Sequence, residues 1–274
     1  MRQSTRPQAI VFGYHKAGTV LFERVMSRVA QHLNLSVAKH FGMVSALDQA
    51  KDIVLLPHSL VACEVTWPYR GIRVVRDPRD IWVSGYLYHR RCLEGWCTNA
   101  NFDPTPPIDY PRVDFSFRHY PEEWKRHYLA RLEGVSYQQN LLGRAQEDGL
   151  DFELAGYTGC TLEAMQGWRL GGPPTIDVRL EDVVASFNDT MRIIFSHLGF
   201  QGLELEHAVR LAASEDMTRM DDATVAKNPH IYSRQISKWR GMLSSRQVAN
   251  FENRYGPLIN ELGYSQRPVN AGTS

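Results

Sequence analysis

The chain has 274 residues, 43% of them hydrophobic and 22% charged, a composition typical of a globular protein with one large core. The formal net charge of +1 creates no bulk field for nucleic acid or an anionic membrane, so any basic site must be local. Apolar runs are short, which predicts neither a signal peptide nor a membrane span. Four cysteines without C-x-x-C pairing indicate reduced thiols and a cytoplasmic protein, with a Cys92–Cys97 disulfide as the alternative.

The first half of the chain predicts strands that alternate with helices. A short apolar run, QAIVFGY, ends in glycine and is followed by TVLFERVMSRVAQHL, whose apolar residues recur at three and four positions. Further short apolar runs suit buried strands, namely KDIVLLP, SLVACEV and GIRVVRD. Between Asp80 and Arg91 the spacing becomes helical again.

The second half continues the pattern after a long loop. Residues 92–118 are rich in proline and aromatic residues, which predicts a lid or a substrate-binding loop. Helices are predicted over residues 120–149 and 161–170, followed by a strand in PTIDVRLEDVV. The segment SFNDTMRIIFSHLGF predicts a helix with Ser186 as N-cap and Gly199 at its end, and SRQVANFENRYGPLINELGY predicts a pair of helices. We expect an α/β fold in one domain, with a central, mainly parallel sheet flanked by helices.

The loop after the first strand has the features of a phosphate site. It reads GYHKAGTV, with Gly13 and Gly18 at P-loop spacing. Such a turn exposes backbone N–H groups beside the positive end of the following helix, and Lys16 adds a charge. A P-loop nucleoside triphosphatase would have Lys and then Ser or Thr after the second glycine, whereas this sequence has Thr19 and Val20 there. The loop therefore predicts a phosphate ligand without a hydroxyl reserved for magnesium.

A second candidate phosphate site follows the strand GIRVV. Arg76 stands at the carboxyl end of that strand, where α/β sheets bind ligands, and a turn leads into a helix that carries Ser84. The guanidinium can bind a phosphate through two N–H groups, and the serine hydroxyl can reach the same group. The alternative is a surface ion-pair cluster of little energetic weight, formed by Arg76, Asp77, Arg79 and Asp80.

Together the two stretches resemble the cytosolic-type sulfotransferase family, which uses 3′-phosphoadenosine 5′-phosphosulfate (PAPS). The family motif Y-P-K-S-G-T-T corresponds to residues 14–20, with His15 and Ala17 in place of Pro and Ser. The motif R-[DN]-P-[RK]-D followed by V-S-x-Y corresponds to residues 76–80 and 83–86. The middle of the chain is closer in character to bacterial members that act on small metabolites.

Two later segments extend the resemblance over residues 9–264, in the family's motif order. The segment DVRLEDVVASFNDTMRIIFSHLGF resembles the K-Y-E-D-L region with its helix. The terminal R-K-G-x-x-G-D-W-K motif has become YSRQISKWR, which keeps Trp239 but lacks the glycines. The resemblance implies a P-loop-containing three-layer fold in a single domain, residues 1–274.

The resemblance also implies which residues bind PAPS and release 3′-phosphoadenosine 5′-phosphate (PAP). Arg76 and Ser84 would hold the 3′-phosphate, with Arg234 as the candidate for its remaining contact. The first loop would hold the 5′-phosphosulfate through His15, Lys16, Ala17, Gly18, Thr19 and Val20. Lys16 would stabilise the leaving phosphate oxygen, and no metal is expected because the sulfuryl group carries one net negative charge.

Three residues are candidates for the general base that sulfuryl transfer to a hydroxyl or amine requires. The family uses a histidine on the strand before the arginine strand, and His58 is the closest match in position. Glu64 is the main alternative, because a carboxylate at the end of a buried strand would have its pKa raised by desolvation. His15 stands beside Lys16 and is the third candidate.

The acceptor is predicted to be a small molecule that meets side chains downstream of Arg76. The candidate contacts are Tyr86, His89, Trp96 and His119, whose rings suit a flat, hydrophobic or cationic acceptor. Two other functions stay open, namely a P-loop small-molecule kinase and a nucleotide-binding pseudoenzyme of the same fold. The oligomeric state also stays open, a homodimer included.

Overall fold

The computed structural model describes residues 6–41, 43–57, 60–100, 130–223 and 235–265. Three predicted site residues, His58, His119 and Arg234, lie outside these ranges, as does most of the predicted loop over 92–118.

A five-stranded parallel sheet forms the centre of the fold, in the order β2-β4-β1-β6-β7. Its strands are β1 (Gln8–Phe12), β2 (Val37–Lys39), β4 (Ile53–Leu56), β6 (Tyr69–Val75) and β7 (Thr175–Arg179). Two further strands, β3 (Met43–Val44) and β5 (Leu60–Val61), form a separate parallel pair. This topology confirms the predicted α/β fold with a parallel central sheet.

Helices connect and cover the strands. In chain order they are α1 (Thr19–Leu33), α2 (Pro78–His89), α3 (Gly95–Thr98), α4 (Tyr137–Gly143), α5 (Gln146–Ala155), α6 (Tyr157–Gln166), α7 (Leu180–Ala185), α8 (Phe187–His197), α9 (Gly202–Ala212), α10 (Trp239–Met242) and α11 (Ser245–Glu261). A short 3₁₀ turn, Ala213–Glu215, follows α9. No helix in the described ranges combines the length and apolar character that a membrane span needs.

Side chains of β1 alternate between two hydrophobic clusters, as the two-residue period of a strand requires. Ala9 and Val11 pack with residues of α1, α8 and α9. Ile10 and Phe12 face the other way, where the ring of Phe12 contacts Trp168 with the ring centroids 4.8 Å apart. A third cluster surrounds α2, all of whose residues are buried. These helical layers hold the carboxyl ends of β1 and β6 in fixed positions.

Three predicted elements differ from the structure. The C-terminal pair of helices is the single helix α11, which continues through Pro257 to Glu261. Its buried face, with Phe251 before the proline and Leu258 after it, runs the whole length, and this burial offsets the lost hydrogen bond. In the described part of residues 120–149, extended backbone at Arg144 separates α4 from α5. The helix predicted over residues 161–170 is α6, which begins at Tyr157 and ends before Gly167.

Candidate functional site

A cavity of about 390 Å³ opens beside the carboxyl ends of β1 and β6. This is the edge at which parallel α/β sheets bind ligands. The first loop and the residues after β6 both reach it, through Lys16, Gly18, Arg76 and Ser84. The structure therefore brings together the two stretches that the sequence predicts as phosphate sites.

The turn into α1 leaves backbone N–H groups available at the cavity. Gly18, the N-cap, has φ 96° and no side chain to cap the helix, and the first turn of α1 carries no acidic residue. A Cβ atom at Gly18 would lie 2.9 Å from a methyl carbon of Leu180. The hydroxyl of Thr19 donates to the Tyr14 carbonyl at 2.8 Å, which holds the loop closed. The helix N-terminus is thus suited to an anion.

Gly18→Ala is expected to destabilise the fold by about 1–3 kcal/mol, because alanine is strained at this positive φ. It should also weaken binding of the PAP that the sequence resemblance implies, since the added methyl group forces Leu180 to move at the cavity wall. Urea unfolding and titration with PAP measure the two effects. Gly134→Ala is the matched control, because Gly134 has φ 79° but nothing within 4 Å of its added Cβ. Equal PAP affinity in the two variants would contradict the role of Gly18.

Lys16 carries the charge of the first loop in a partly buried position. Its backbone has φ 62°, a left-handed conformation that is strained for lysine and is typical of functional sites. Its ammonium lies over the ring of Tyr88, 3.9 Å from the centroid. Burial lowers the pKa of Lys16 to about 7, and the positive charges of Arg76, Arg91 and Lys238 act in the same direction, opposed by Glu94. An anion in the cavity would restore the charged form.

Arg76 joins the first loop to α2. Its Nη1 donates to the carbonyl of Lys16 at 3.0 Å and to Oγ of Ser84 at 3.1 Å. Its Nη2 lies 3.6 Å from Oδ2 of Asp80. The guanidinium is buried yet lines the cavity, so its charge acts in a medium of low dielectric.

The remaining charged residues of RDPRD are structural, and they do not form the surface cluster considered as the alternative. The carboxylate of Asp77 caps α2 by accepting from the backbone N–H of Arg79 at 2.9 Å. The guanidinium of Arg79 donates to Asp77 and Glu252, and it lies 4.0 Å from the ring centroid of Trp239. Arg79 and Asp80 are buried, and their contacts tie α11 and the start of α10 to α2.

Lys238 is a further cation of the cavity wall, and the sequence interpretation missed it. Asp80 accepts from the backbone N–H groups of Ser237 at 2.6 Å and Trp239 at 3.0 Å, and so fixes the segment that carries Lys238. Burial lowers the pKa of Lys238 to about 8, with the charge of Arg76 adding to the effect and Asp80 opposing it. The available signal was its position beside Trp239, the residue of the terminal motif that could be matched.

Three predicted acceptor contacts, Tyr86, His89 and Trp96, lie away from the cavity wall that the described residues form. All three are buried in the cluster around α2 or beside it, and none lines the cavity formed by the described residues. His89 is fully buried and forms a 2.9 Å hydrogen bond between its Nδ1 and Oε2 of Glu153. The physical reason is that five helices (α4, α5, α6, α10 and α11) pack against α2, so most of its residues after Ser84 point into protein.

Of the two candidate bases within the described residues, only His15 lines the cavity. Glu64 is exposed and does not line the cavity, contrary to the predicted buried strand, because β5 ends at Val61 and the chain leaves the sheet there. His15 does line the cavity, and its ring stacks on that of His89 with the centroids 5.0 Å apart.

Other parts of the cavity wall differ in character. Apolar side chains suited to a flat ring come from α7, α8 and the segment after α9: Leu180, Val183, Val184, Phe187, Met217 and Met220. Near Lys16 the wall is formed by Tyr88 and by Glu94, which the sequence interpretation did not single out as a site residue.

Comparison with known proteins found matches among solved structures. No protein-family model matches the sequence, and no curated protein matches it. The chain is similar to mouse sulfotransferase SULT7A1 complexed with PAP, at 13% identity and a TM-score of 0.46, over 93% of this chain and 85% of that chain. It is also similar to retinol dehydratase in complex with androsterone and inactive cofactor PAP, at 13% identity and a TM-score of 0.49, over 96% of this chain and 83% of that chain.

Proposed function

We propose that the protein transfers the sulfuryl group of PAPS to a hydroxyl or amine of a small-molecule acceptor. The observation that carries this proposal is the convergence of Lys16, Arg76 and Lys238 on one cavity beside an uncapped helix N-terminus. Burial and the charge of Arg76 lower the pKa values of Lys16 and Lys238, so a bound ligand with negative charge would favour their protonated forms. A ligand with phosphate groups at both ends supplies that charge.

The donor set fits a nucleotide with a 5′- and a 3′-phosphate. The N–H groups at the start of α1 and the ammonium of Lys16 would hold the 5′ end, where the sulfuryl group of PAPS is attached. Arg76, Ser84 and Lys238 would hold the 3′-phosphate. The apolar wall around Phe187 would contact the adenine ring of the nucleotide. Bound there, PAPS would supply an activated sulfuryl group.

The residues of this chain would act by position and charge. Lys16 can stabilise the negative charge that develops on the leaving phosphate oxygen, which is an electrostatic role that needs no proton transfer. Arg76 holds the carbonyl of Lys16 and the hydroxyl of Ser84 at once, so the sites for the two ends of the nucleotide keep a fixed separation. That fixed separation favours in-line transfer.

Thermal unfolding with PAP tests the nucleotide part of the proposal. PAP at about one hundred times its Kd is expected to stabilise the protein by about 2.7 kcal/mol, which raises the Tm by roughly 5–10 °C. ATP with magnesium is the control, since the P-loop kinase alternative predicts stabilisation by that pair. Stabilisation by ATP with magnesium, and none by PAP, would overturn the proposal.

Transfer itself requires a second assay, with labelled PAPS and a panel of small alcohols, phenols and amines. We expect at least one of them to become labelled. If the protein binds PAP but transfers the group to none of them, the pseudoenzyme function is supported instead.

A further inference from the structure

A carboxylate lies close to Lys16 on the wall of the same cavity. Glu94 stands just before α3, and the hydroxyl of Tyr88 donates to its Oε1 at 2.8 Å. The ring of Tyr88 in turn has the Lys16 ammonium 3.9 Å from its centroid. One tyrosine therefore contacts both groups, with the ammonium over its ring face and the carboxylate at its hydroxyl.

Rigid aromatic residues hold the Glu94 carboxylate in place. The indole N–H of Trp96 donates to its Oε2 at 2.5 Å, and the Trp96 ring stacks on Tyr157 with the centroids 4.8 Å apart. Burial raises the pKa of Tyr88 well above its ordinary value, and Glu94 adds to the effect, so the tyrosine remains a hydrogen-bond donor. Glu94 itself is exposed and lines the cavity. Such a carboxylate is oriented and accessible.

The other carboxylates of the cavity wall are engaged differently. Among the described lining residues, Glu23 forms an ion pair with Lys39, and Glu215 forms one with Arg28 at 2.8 Å. Glu94 instead accepts from two neutral donors and lies near the ammonium expected at the leaving oxygen. A proton acceptor for the reaction is needed within hydrogen-bond reach of the acceptor group.

We propose that Glu94 is the general base of the reaction, an inference that rests on the sulfuryl-transfer function proposed above. As the acceptor oxygen or nitrogen forms its bond to sulfur, the bond from sulfur to the 5′-phosphate oxygen breaks, and its electron pair stays on that oxygen beside Lys16. The proton of the acceptor passes to Glu94, which later releases it to solvent. This role replaces His58, Glu64 and His15 as candidate bases.

Acceptors of different acidity test the proposal in Glu94→Gln. With phenol, whose pKa is about 10 like that of tyrosine, the transfer rate should fall by about 10²-fold or more. With 4-nitrophenol, which is largely ionised at pH 8, it should fall only several-fold, because no proton has to be removed. If the protein accepts alcohols instead, an alcohol and its more acidic trifluoro analogue replace the two phenols. Glu133→Gln is the matched control, since Glu133 is exposed and outside the cavity.

Binding of PAP gives a readout that does not depend on turnover. At pH 6, Glu94→Gln should keep its affinity for PAP within about twofold, because the neighbouring lysines are protonated. Above that pH its affinity should decline earlier than that of the unmodified protein, because loss of the nearby negative charge lowers the pKa of Lys16 further. The charges that act on Lys16 from the other elements, Arg76, Arg91 and Lys238, are the same in both proteins.

Several outcomes would overturn the proposal. An equal loss of rate with both phenols, or loss of PAP affinity at pH 6, would show that Glu94 has a structural role. The same acidity-dependent loss in His58→Ala, with Glu94→Gln fully active, would assign the base to His58. If the unmodified protein binds PAP but sulfates no acceptor, the proposed function itself has failed, a result that is distinct from failure of Glu94 alone.

Discussion

Replacement of Lys16 by methionine is expected to lower the rate of sulfuryl transfer by about 10²–10³-fold, the usual effect of removing one donor that stabilises a developing oxyanion. Methionine keeps an unbranched apolar stem like that of lysine, so packing beside the Tyr88 ring is largely retained while the charge over the ring is lost. The loss should therefore appear in kcat, measured with labelled PAPS and an acceptor found by screening. Lys51→Met is the control, since Lys51 does not line the cavity.

The same variant should change the pH dependence of PAP binding. In the free protein the pKa of Lys16 is about 7, and bound phosphate would raise it, so binding takes up a proton above pH 7. Affinity should then fall as the pH rises, by up to about tenfold per unit for each such lysine. Lys238, with a pKa of about 8, adds its own decline at higher pH. Lys16→Met should keep only the decline due to Lys238. An unchanged profile would place Lys16 away from the phosphates.

Replacement of Arg79 by methionine is expected to destabilise the protein by about 3–5 kcal/mol, the usual cost of breaking a buried ion pair by removing one partner. The side chain of Arg79 is 2% exposed and has carboxylates at 2.8 Å, on Asp77, and at 2.7 Å, on Glu252. Without the guanidinium, the carboxylates of Asp77 and Glu252 lose its compensating positive charge, which destabilises the folded state. Urea unfolding measures the change, and a lower Cm with the same m value is expected.

An exposed ion pair is the control for this experiment. Arg254 lies 3.9 Å from Glu163, and both side chains are largely exposed. Arg254→Met should change stability by less than about 1 kcal/mol. A similarly small loss for Arg79→Met would mean that RDPRD behaves as the surface cluster first considered as the alternative.

Local patterns in the sequence were sufficient for the strands and helices that frame the site. The apolar run before Gly13 is β1, and the periodic segment after Gly18 is α1. The predicted N-cap Ser186 precedes α8, and Gly199, with φ 93°, follows its end. These elements depend on near-neighbour spacing and on backbone conformations that few residues adopt, which a sequence displays directly.

Contacts between distant segments could not be read in the same way. His89 and Trp96 follow the Arg76 motif, in the part of the chain where the resemblance implies acceptor contacts. Both side chains are nevertheless buried. Their direction depends on α5 and α6, which cover α2 from more than fifty residues away along the chain. Glu64 was expected in a buried strand, but a short apolar run does not show how many of its residues will find a partner strand.

The sequence by itself determined the α/β fold with its parallel sheet through the periodicity of successive short segments. It also determined the glycine-containing loop around Lys16 and the contact between Arg76 and Ser84, each of which is encoded within about twenty consecutive residues. Only the tertiary structure decided that Lys238 and Glu94 share the cavity with them. Lys238 comes from a segment held by Asp80, more than 150 residues earlier, and Glu94 is placed by packing of Tyr88 and Trp96. The position of Lys238 depends on long-range hydrogen bonds to Asp80, and that of Glu94 on the stacking of Trp96 against Tyr157 of α6, and local spacing records neither.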